Sequence, residues 1–308
     1  MTDVNKMDVF GGGVSVNDME MVQPESAGKL PYPVKKDAMF KGVFANPKRL
    51  GILSDFLSTV LDLGMDELKS IRLSDTNIPK SHIEDKLSIL DVYVETMRGD
   101  MIDVELQLAE TKTMRSRIVY YLSKLLAQQL VVGDGYKLNK AIGVVITDFN
   151  MLPEQNTYCC KYQLLDRNNT SETLTDILEV NVLELKKLPE TDDENTGLLD
   201  WLRFIKAERW DEMEALAKKN PKIEEAVEVV RTLSTERSFI VEAARLEYAK
   251  VADLLLKAEA REDGREEGMA RGREEERLQC IRNAKVEGLP VDMICRLFNT
   301  TPEEVEDL

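Results

Sequence analysis

The segment from residue 87 to residue 109, LSILDVYVETMRGDMIDVELQLA, most constrains what this chain can fold into. Two runs of alternating apolar and polar residues flank Arg98-Gly99-Asp100, which is typical of a β-hairpin. A three-residue loop there predicts a register with one apolar face. In that register, Val94 lies opposite Val104, Val92 opposite Leu106 and Leu90 opposite Leu108. A slip of one residue would destroy this face, so the pattern favours the hairpin.

The opposite face of the predicted hairpin carries acidic and amide side chains. Asp91 would lie directly across from Gln107, with Glu105 as the diagonal neighbour. Directly opposed Cβ atoms are roughly 5 Å apart and diagonal ones roughly 7 Å. Two carboxylates at such a separation can hold one Mg²⁺ ion, which takes oxygen ligands and usually only one or two from carboxylates. The alternative is an ordinary solvated face, as in most hairpins with one apolar face.

Composition excludes several classes of protein. No apolar run reaches the length of a membrane span, and the first residues lack a basic region followed by an apolar core, so we expect no membrane contact and no signal peptide. Four cysteines without a CxxC or Cys/His cluster argue against structural zinc and favour a reducing cytoplasm. The single histidine, His82, is expected at the surface of a polar loop. No phosphate loop, dinucleotide fingerprint or nucleophile elbow occurs.

The net charge, 41 − 57 = −16, at first argues against a nucleic-acid partner. Residues 190–308 hold −11 of it, with 30 acidic and 19 basic residues. Residues 112–140, by contrast, contain one acidic residue, Asp134, and six basic residues: Lys112, Arg115, Arg117, Lys124, Lys137 and Lys140. A basic surface next to the hairpin is therefore expected within an acidic protein.

The sequence pattern before the hairpin predicts a disordered tail followed by two helices. Residues 1–30 contain a triple glycine and no period, which is typical of a disordered tail. A helical pattern begins at Asp37 and restarts after Asn46-Pro47, because proline favours a first helical position. Residues 64–86 are predicted to be a connection.

After the hairpin, the pattern predicts one helix and three strands. The helix runs from about residue 113 to residue 130, and its second stripe (Arg117, Tyr120, Lys124 and Gln128) is either a basic surface or a solvated face. A turn at Gly133-Asp134-Gly135 leads to strands at 140–148, 157–165 and 178–185. The first domain then has the order α-β-β-α-β-β-β and ends near residue 189, which predicts an α/β fold with a sheet flanked by helices.

From Gly197 onward the chain is predicted to be helical. Asn220-Pro221 marks a break, and Thr235 is expected to cap a long helix that runs into the 270s. Three glycines at a spacing of four (264, 268 and 272) indicate either close helix–helix approach or a low-complexity linker. Residues 283–308 are predicted to form two short helices. For this pair, a packing or oligomer contact is favoured over sequence recognition in DNA.

Several segments also carry a family pattern. DAMFKGVF (Asp37–Phe44), LDVYVETMRGDMIDVELQ (90–107), RIVYYLSKL (117–125) and LELKKLPE (183–190) precede a Gly/Arg/Glu repeat and a short terminal helical pair. In this order they resemble the recombination-promoting nuclease (Rpn) and transposase family of bacteria, within the PD-(D/E)XK nuclease superfamily. The resemblance implies a restriction-endonuclease-like core, a mixed sheet flanked by helices, at residues 31–190. An all-helical region (191–262) and the repeat helix with its terminal pair (263–308) would follow.

The resemblance also implies a function, a metal-dependent DNA endonuclease that hydrolyses phosphodiester bonds and promotes recombination or mobile-element transfer. Asp91, Glu105 and the Leu106 carbonyl would hold Mg²⁺, with Mn²⁺ or Ca²⁺ as alternatives. Gln107 would replace the lysine of the superfamily's E-x-K motif, and Asp37 would be an accessory acid. The DNA-contact candidates are Arg115, Arg117 and Lys124. The alternative function is a non-catalytic DNA-binding or protein-interaction relative that self-associates through its acidic helical C-terminal region as a homo-oligomer.

Overall fold

The chain forms two units, Met1–Ala243 and Ala244–Leu308, in a computed structural model that describes residues 28–78, 88–130, 135–190 and 196–308. The predicted tail up to residue 27, the loop with His82 and the first two residues of the Gly133-Asp134-Gly135 turn lie outside the described residues. The predicted domain limits at residues 190 and 262 stay a prediction.

The first unit is built on a six-stranded mixed sheet with the order β1-β4-β5-β6-β8-β7. Strands β5, β6 and β8 run parallel, and the other neighbours pair antiparallel. A mixed sheet with helices, as predicted, is therefore confirmed. The strands are β1 (Arg72–Leu73), β2 (Asn77–Ile78), β3 (Ser88–Ile89), β4 (Val92–Glu95), β5 (Met101–Gln107), β6 (Ala141–Thr147), β7 (Cys159–Leu165) and β8 (Thr173–Glu184).

Ten helices accompany these strands in the described part of the chain. They are α1 (Asp37–Phe44), α2 (Leu50–Val60), α3 (Met65–Leu68), α4 (Met114–Ala127), α5 (Gly197–Lys206), α6 (Trp210–Ala217), α7 (Pro221–Thr235), α8 (Arg237–Val286), α9 (Val291–Phe298) and α10 (Pro302–Asp307). The segment predicted as a connection, residues 64–86, contributes α3 and the edge strand β1. Its apolar pattern is too short to predict either element.

The hairpin of β4 and β5 is present, but its predicted register is wrong by two residues. Val92, not Val94, lies opposite Val104. The turn is longer than predicted and spans residues 96–100, with the Thr96 N–H donating to the Asp100 carbonyl at 2.9 Å. Gly99 adopts φ +89°, a left-handed conformation that favours glycine. Because a shift of two residues preserves the alternation of faces, Val92, Val94, Ile102 and Val104 still share one buried apolar face.

The first residue of the predicted apolar stripe also departs from its expected position. Leu90 precedes β4 and is buried in the core on the other side of the sheet, together with Tyr93. Its predicted partner, Leu108, lies beyond β5 and is 45 % exposed. Pairing ends at Val92, so the backbone before it no longer follows the alternation of the strand.

Helix α4 covers the face of the sheet that carries Asp103 and Glu105. Its buried residues are Met114, Ile118, Leu122 and Leu125. A Cβ atom on Gly143 of β6 would lie 3.3 Å from Leu122, so this glycine allows the helix to approach the sheet closely. Asp103 and Glu105 on this face are therefore buried rather than solvated.

Aromatic side chains fill the core on the other face of the sheet, where they pack helices α1, α2 and α5 together. Trp201 of α5 is fully buried, with its ring centroid 5.8 Å from that of Phe44 and 6.0 Å from that of Phe56. Its indole N–H donates to Asp55 of α2 at 2.9 Å, and the Asn220 side chain donates to the same carboxylate oxygen at 3.0 Å. Asp55 thus joins α2, α5 and the start of α7.

We expect Asp55→Ala to lower the free energy of unfolding by about 1–3 kcal/mol, because it leaves two partly buried donors without an acceptor. Urea unfolding measures this loss. Asp66→Ala is the control, since Asp66 is 94 % exposed and pairs with its neighbour Lys69. Equal stability of the two variants would contradict the role of Asp55.

The second unit contains most of α8, together with α9 and α10. Ile281, Ile294 and Val305 form its small core, and Thr301 caps α10 by accepting from the Glu304 N–H. The predicted cap at Thr235 is wrong, because Thr235 is the last residue of α7. The three glycines have nothing within 4 Å of an added Cβ atom in the described chain. None of the described helices combines the length and apolarity needed to cross a membrane.

Candidate functional site

The candidate site lies where β4 leaves the edge of β5. Strand β4 begins at Val92, whereas β5 continues to Gln107, so β4 does not pair with the last residues of β5. Asp91 occupies this gap, and its Oδ2 accepts a hydrogen bond from the Leu106 N–H at 3.1 Å. Since the N–H and C=O of a strand residue point to the same edge, the Leu106 carbonyl also faces Asp91. The ladder ends at Val92, so it is the hydrogen bond from the Leu106 N–H, and not strand pairing with Gln107, that places the Asp91 carboxylate next to Glu105 and Leu106.

Two carboxylates are buried on the α4 side of β5. Asp103 is 5 % exposed and Glu105 4 % exposed. Burial, followed by the negative charge of Asp91, raises the pKa of Glu105 to about 7. Burial, followed by the charges of Glu105 and Asp91, raises the pKa of Asp103 well above its ordinary value. Asp103 Oδ1 has no hydrogen-bond partner in the described structure. Negative charge therefore accumulates here without full compensation.

Two polar side chains surround Glu105. The amide of Gln107 donates to Glu105 Oε2 at 3.2 Å, and the guanidinium of Arg117 on α4 lies 3.7 Å from the same oxygen. Both contacts lower the pKa of Glu105, but they offset only part of the rise caused by burial. Gln107 and Arg117 thus stand in the same site as the predicted metal ligand.

Helix α1 brings a lysine to this site. Lys41 Nζ lies 3.0 Å from Asp37 Oδ1 and 3.2 Å from Asp91 Oδ1. Asp37 therefore joins the site through Lys41. Burial opposes the charge of Lys41, but the charges of Asp91 and Asp37 outweigh it and raise the pKa of Lys41 above its ordinary value. Lys41 thus supplies a positive charge at the carboxylate of Asp91.

The other predicted DNA-contact residues lie elsewhere on α4. Arg115 donates to the Met151 carbonyl at 2.6 Å, beyond the end of β6. Lys124 lies seven residues after Arg117, roughly 10 Å further along the helix, with its ammonium 5.3 Å from the centroid of the Tyr120 ring. The structure therefore brings Arg117, but not Arg115 or Lys124, to the carboxylates.

Two residues of the site were not among the predicted site residues. Asp103 lies two positions before Glu105 on the same strand face, so strand alternation was a signal for it. Lys41 follows Asp37 by four residues, the helical spacing that places two side chains next to each other. Neither spacing could indicate that α1 meets the hairpin, because that contact joins residues about fifty positions apart.

The donor set fits a hard divalent cation of the Mg²⁺ class. In the described ranges, no three His, Cys, Asp or Glu side chains form a metal-binding cluster. Mg²⁺ usually takes only one or two carboxylates and keeps several waters. Asp91, Glu105 and the Leu106 carbonyl supply such a set of oxygens. The unpartnered buried oxygen of Asp103 and the raised pKa of Glu105 fit a site that the positive charge of a cation would stabilise.

Comparison with known proteins gives one match. The family model described as PD-(D/E)XK nuclease family transposase matches residues 34–253, well over half of the chain. No curated protein and no solved structure matches the chain. The matched segment contains the sheet, the site at Asp91 and Glu105, and helices α1 to α7. The chain therefore belongs to the PD-(D/E)XK nuclease family transposases.

Proposed function

We propose that this protein is a divalent-metal-dependent DNA endonuclease that hydrolyses phosphodiester bonds. The observation that carries the proposal is the buried Glu105, with Gln107 hydrogen-bonded to it and the Asp91 carboxylate held at the Leu106 N–H on the open edge of β5. Mg²⁺ is the proposed cation and DNA the proposed partner, in a cytoplasmic and bacterial setting that includes recombination or mobile-element transfer. The family of the chain supports a nuclease role of this kind.

Asp91, Glu105 and the Leu106 carbonyl would hold the cation. When bound, it would polarise the phosphate and lower the pKa of a water. The Gln107 amide, within hydrogen-bond distance of Glu105, would orient the attacking water, since an amide both donates and accepts. Gln107 is neutral and carries no charge to the phosphate. Lys41 would supply that charge, because its ammonium already lies at Asp91.

A plasmid cleavage assay tests this function. We expect the purified protein to convert supercoiled plasmid to nicked or linear DNA with Mg²⁺ or Mn²⁺, and to leave it intact in EDTA. A comparison with Ca²⁺ tells whether binding of a cation suffices for cleavage. Retarded migration of DNA on a native gel, without cleavage under any of these metals, would instead support a non-catalytic DNA-binding protein.

We expect Lys41→Met to lower the rate of plasmid cleavage by about 10- to 100-fold, because it removes the positive charge next to Asp91. Lys41→Arg should retain more activity than Lys41→Met, since it keeps the charge. Lys48→Met, at an exposed position on the connection between α1 and α2, is the matched control. Full activity of Lys41→Met would show that this lysine is structural.

Self-association is a second candidate function, and exposed apolar residues on α8 favour it. Leu254, Leu255 and Leu256 are 65 %, 61 % and 65 % exposed, and Tyr248 is 74 % exposed. Such side chains at an accessible helix surface are typical of a contact with another helix. Light scattering on the intact protein and on a Leu255→Glu variant tests it, and a monomer in both would reject it.

A further inference from the structure

A cleft of about 880 Å³ opens in the first unit beside the end of β6 and helices α5 and α6. Seven of its lining side chains are basic and four are acidic, a local excess of three positive charges in a chain with net charge −16. Four of the seven bases come from residues 203–219, and the others are Lys29, Lys35 and Lys186, so no single stretch of sequence contains the cluster. The excess favours an anionic occupant.

Several contacts hold the basic side chains at this cleft. The Leu30 N–H donates to the Glu208 carbonyl at 2.7 Å, which fixes the chain next to Lys29 against the start of α6. Lys35 lies 3.1 Å from Asp148 and 2.7 Å from Glu208, so two of the four acids are already paired with one lysine. Lys186 is 57 % exposed, and Lys206 is also exposed.

Two lining residues of the cleft, Asp148 and Lys35, are close in contact or in sequence to residues of the candidate site. The Asp148 N–H donates to the carbonyl of Gln107 at 3.0 Å, so a residue that lines the cleft contacts the backbone of a site residue. On the other side, Lys35 precedes Asp37 by two residues. Asp148 and Lys35 therefore link the lining of the cleft to Gln107 and Asp37 of the candidate site.

We propose that this cleft binds the phosphate backbone of the DNA strand whose scissile phosphate lies at Asp91 and Glu105. The proposal rests on the proposed nuclease function. DNA carries one negative charge for roughly every 1.7 Å of helix axis, which matches a row of several lysines and arginines. Contacts of this kind hold and orient DNA without reading its sequence.

The test compares two pairs of lysine substitutions. The cleft variant is Lys186→Gln with Lys206→Gln, and the control variant is Lys48→Gln with Lys69→Gln at exposed positions outside the cleft. Both variants change the net charge equally. Each also carries Glu105→Gln, so that DNA binds without being cut. Fluorescence anisotropy measures the binding of a labelled duplex of about 30 base pairs, or roughly three helical turns, over a range of salt concentrations.

We expect the cleft variant to bind the duplex about tenfold more weakly than the control variant. The slope of log affinity against log salt should fall by about 2, one for each lost phosphate contact. Equal affinities and slopes for the two variants would overturn the proposal that the cleft binds DNA. Cleavage by the wild-type protein, and hence the proposed function, would be unaffected by that result. A wild-type protein that neither binds nor cuts DNA would overturn both.

Discussion

Glu105→Gln is expected to reduce metal-dependent cleavage of plasmid DNA by at least about 1,000-fold, equivalent to about 4 kcal/mol of transition-state stabilisation. Glutamine keeps the shape of the side chain and can still accept from Gln107, but it removes one of the two carboxylates available for the cation. Glu105→Ala should have the same effect on cleavage. Initial rates with Mg²⁺ and with Mn²⁺ measure the loss.

The matched control for this substitution is Glu172→Gln, which makes the same change at an exposed residue before β8. It should cleave at the wild-type rate. Circular dichroism should give the same spectrum for all three proteins, because neither position belongs to an apolar core cluster. Cleavage by Glu105→Gln at the control rate would remove Glu105 from the proposed mechanism.

The same substitution is expected to stabilise the metal-free protein at pH 8. The pKa of Glu105 is about 7 in the folded protein against an ordinary value of 4.5, so the folded state disfavours the charged form. The unfolded state releases the proton first, and the stability of the wild-type protein falls as the pH rises from 4.5 to 7. The two pKa values correspond to a cost of about 3 kcal/mol above pH 7. Glutamine, which stays neutral, avoids this cost.

Urea unfolding in EDTA at pH 4.5 and at pH 8 measures the effect. Glu105→Gln and the wild-type protein should have similar stability at pH 4.5, and the variant should be more stable at pH 8. Removing the charge of Glu105 also eases the ionisation of Asp103, which acts in the same direction. Mg²⁺ at pH 8 should stabilise the wild-type protein more than the variant. A variant that is less stable at pH 8 would contradict the burial of an uncompensated charge here.

Together, these two results would describe a site that is built for function at a cost in stability. A buried carboxylate with a raised pKa destabilises the folded protein unless a cation or a proton compensates its charge. The charge of Asp91 raises the cost of ionising both Glu105 and Asp103, and Arg117 and Lys41 offset only part of that cost at Glu105. Such a trade between stability and activity is common at catalytic centres.

Much of the fold followed from local patterns. The apolar run at 140–148 became β6, the stripe in residues 113–130 became α4, and the Asn220-Pro221 break separates α6 from α7. These patterns suffice because the period of a buried face depends only on the backbone conformation. The hairpin register was missed because the turn has five residues rather than three. Hydrogen bonds between Thr96 and Asp100 close it: the Thr96 N–H donates to the Asp100 carbonyl at 2.9 Å, and the Asp100 N–H donates to the Thr96 hydroxyl at 3.1 Å.

The sequence by itself determined which side chains share the site face of β5, because alternation along a strand survives a register shift of two residues. It therefore predicted Glu105 and Gln107 together, with Asp91 next to them. The tertiary structure alone decided that α4 buries this face, that Lys41 reaches Asp91, and that lysines from distant segments line one cleft. Each of these depends on contacts between residues far apart in the chain, and a local pattern carries no information about such contacts.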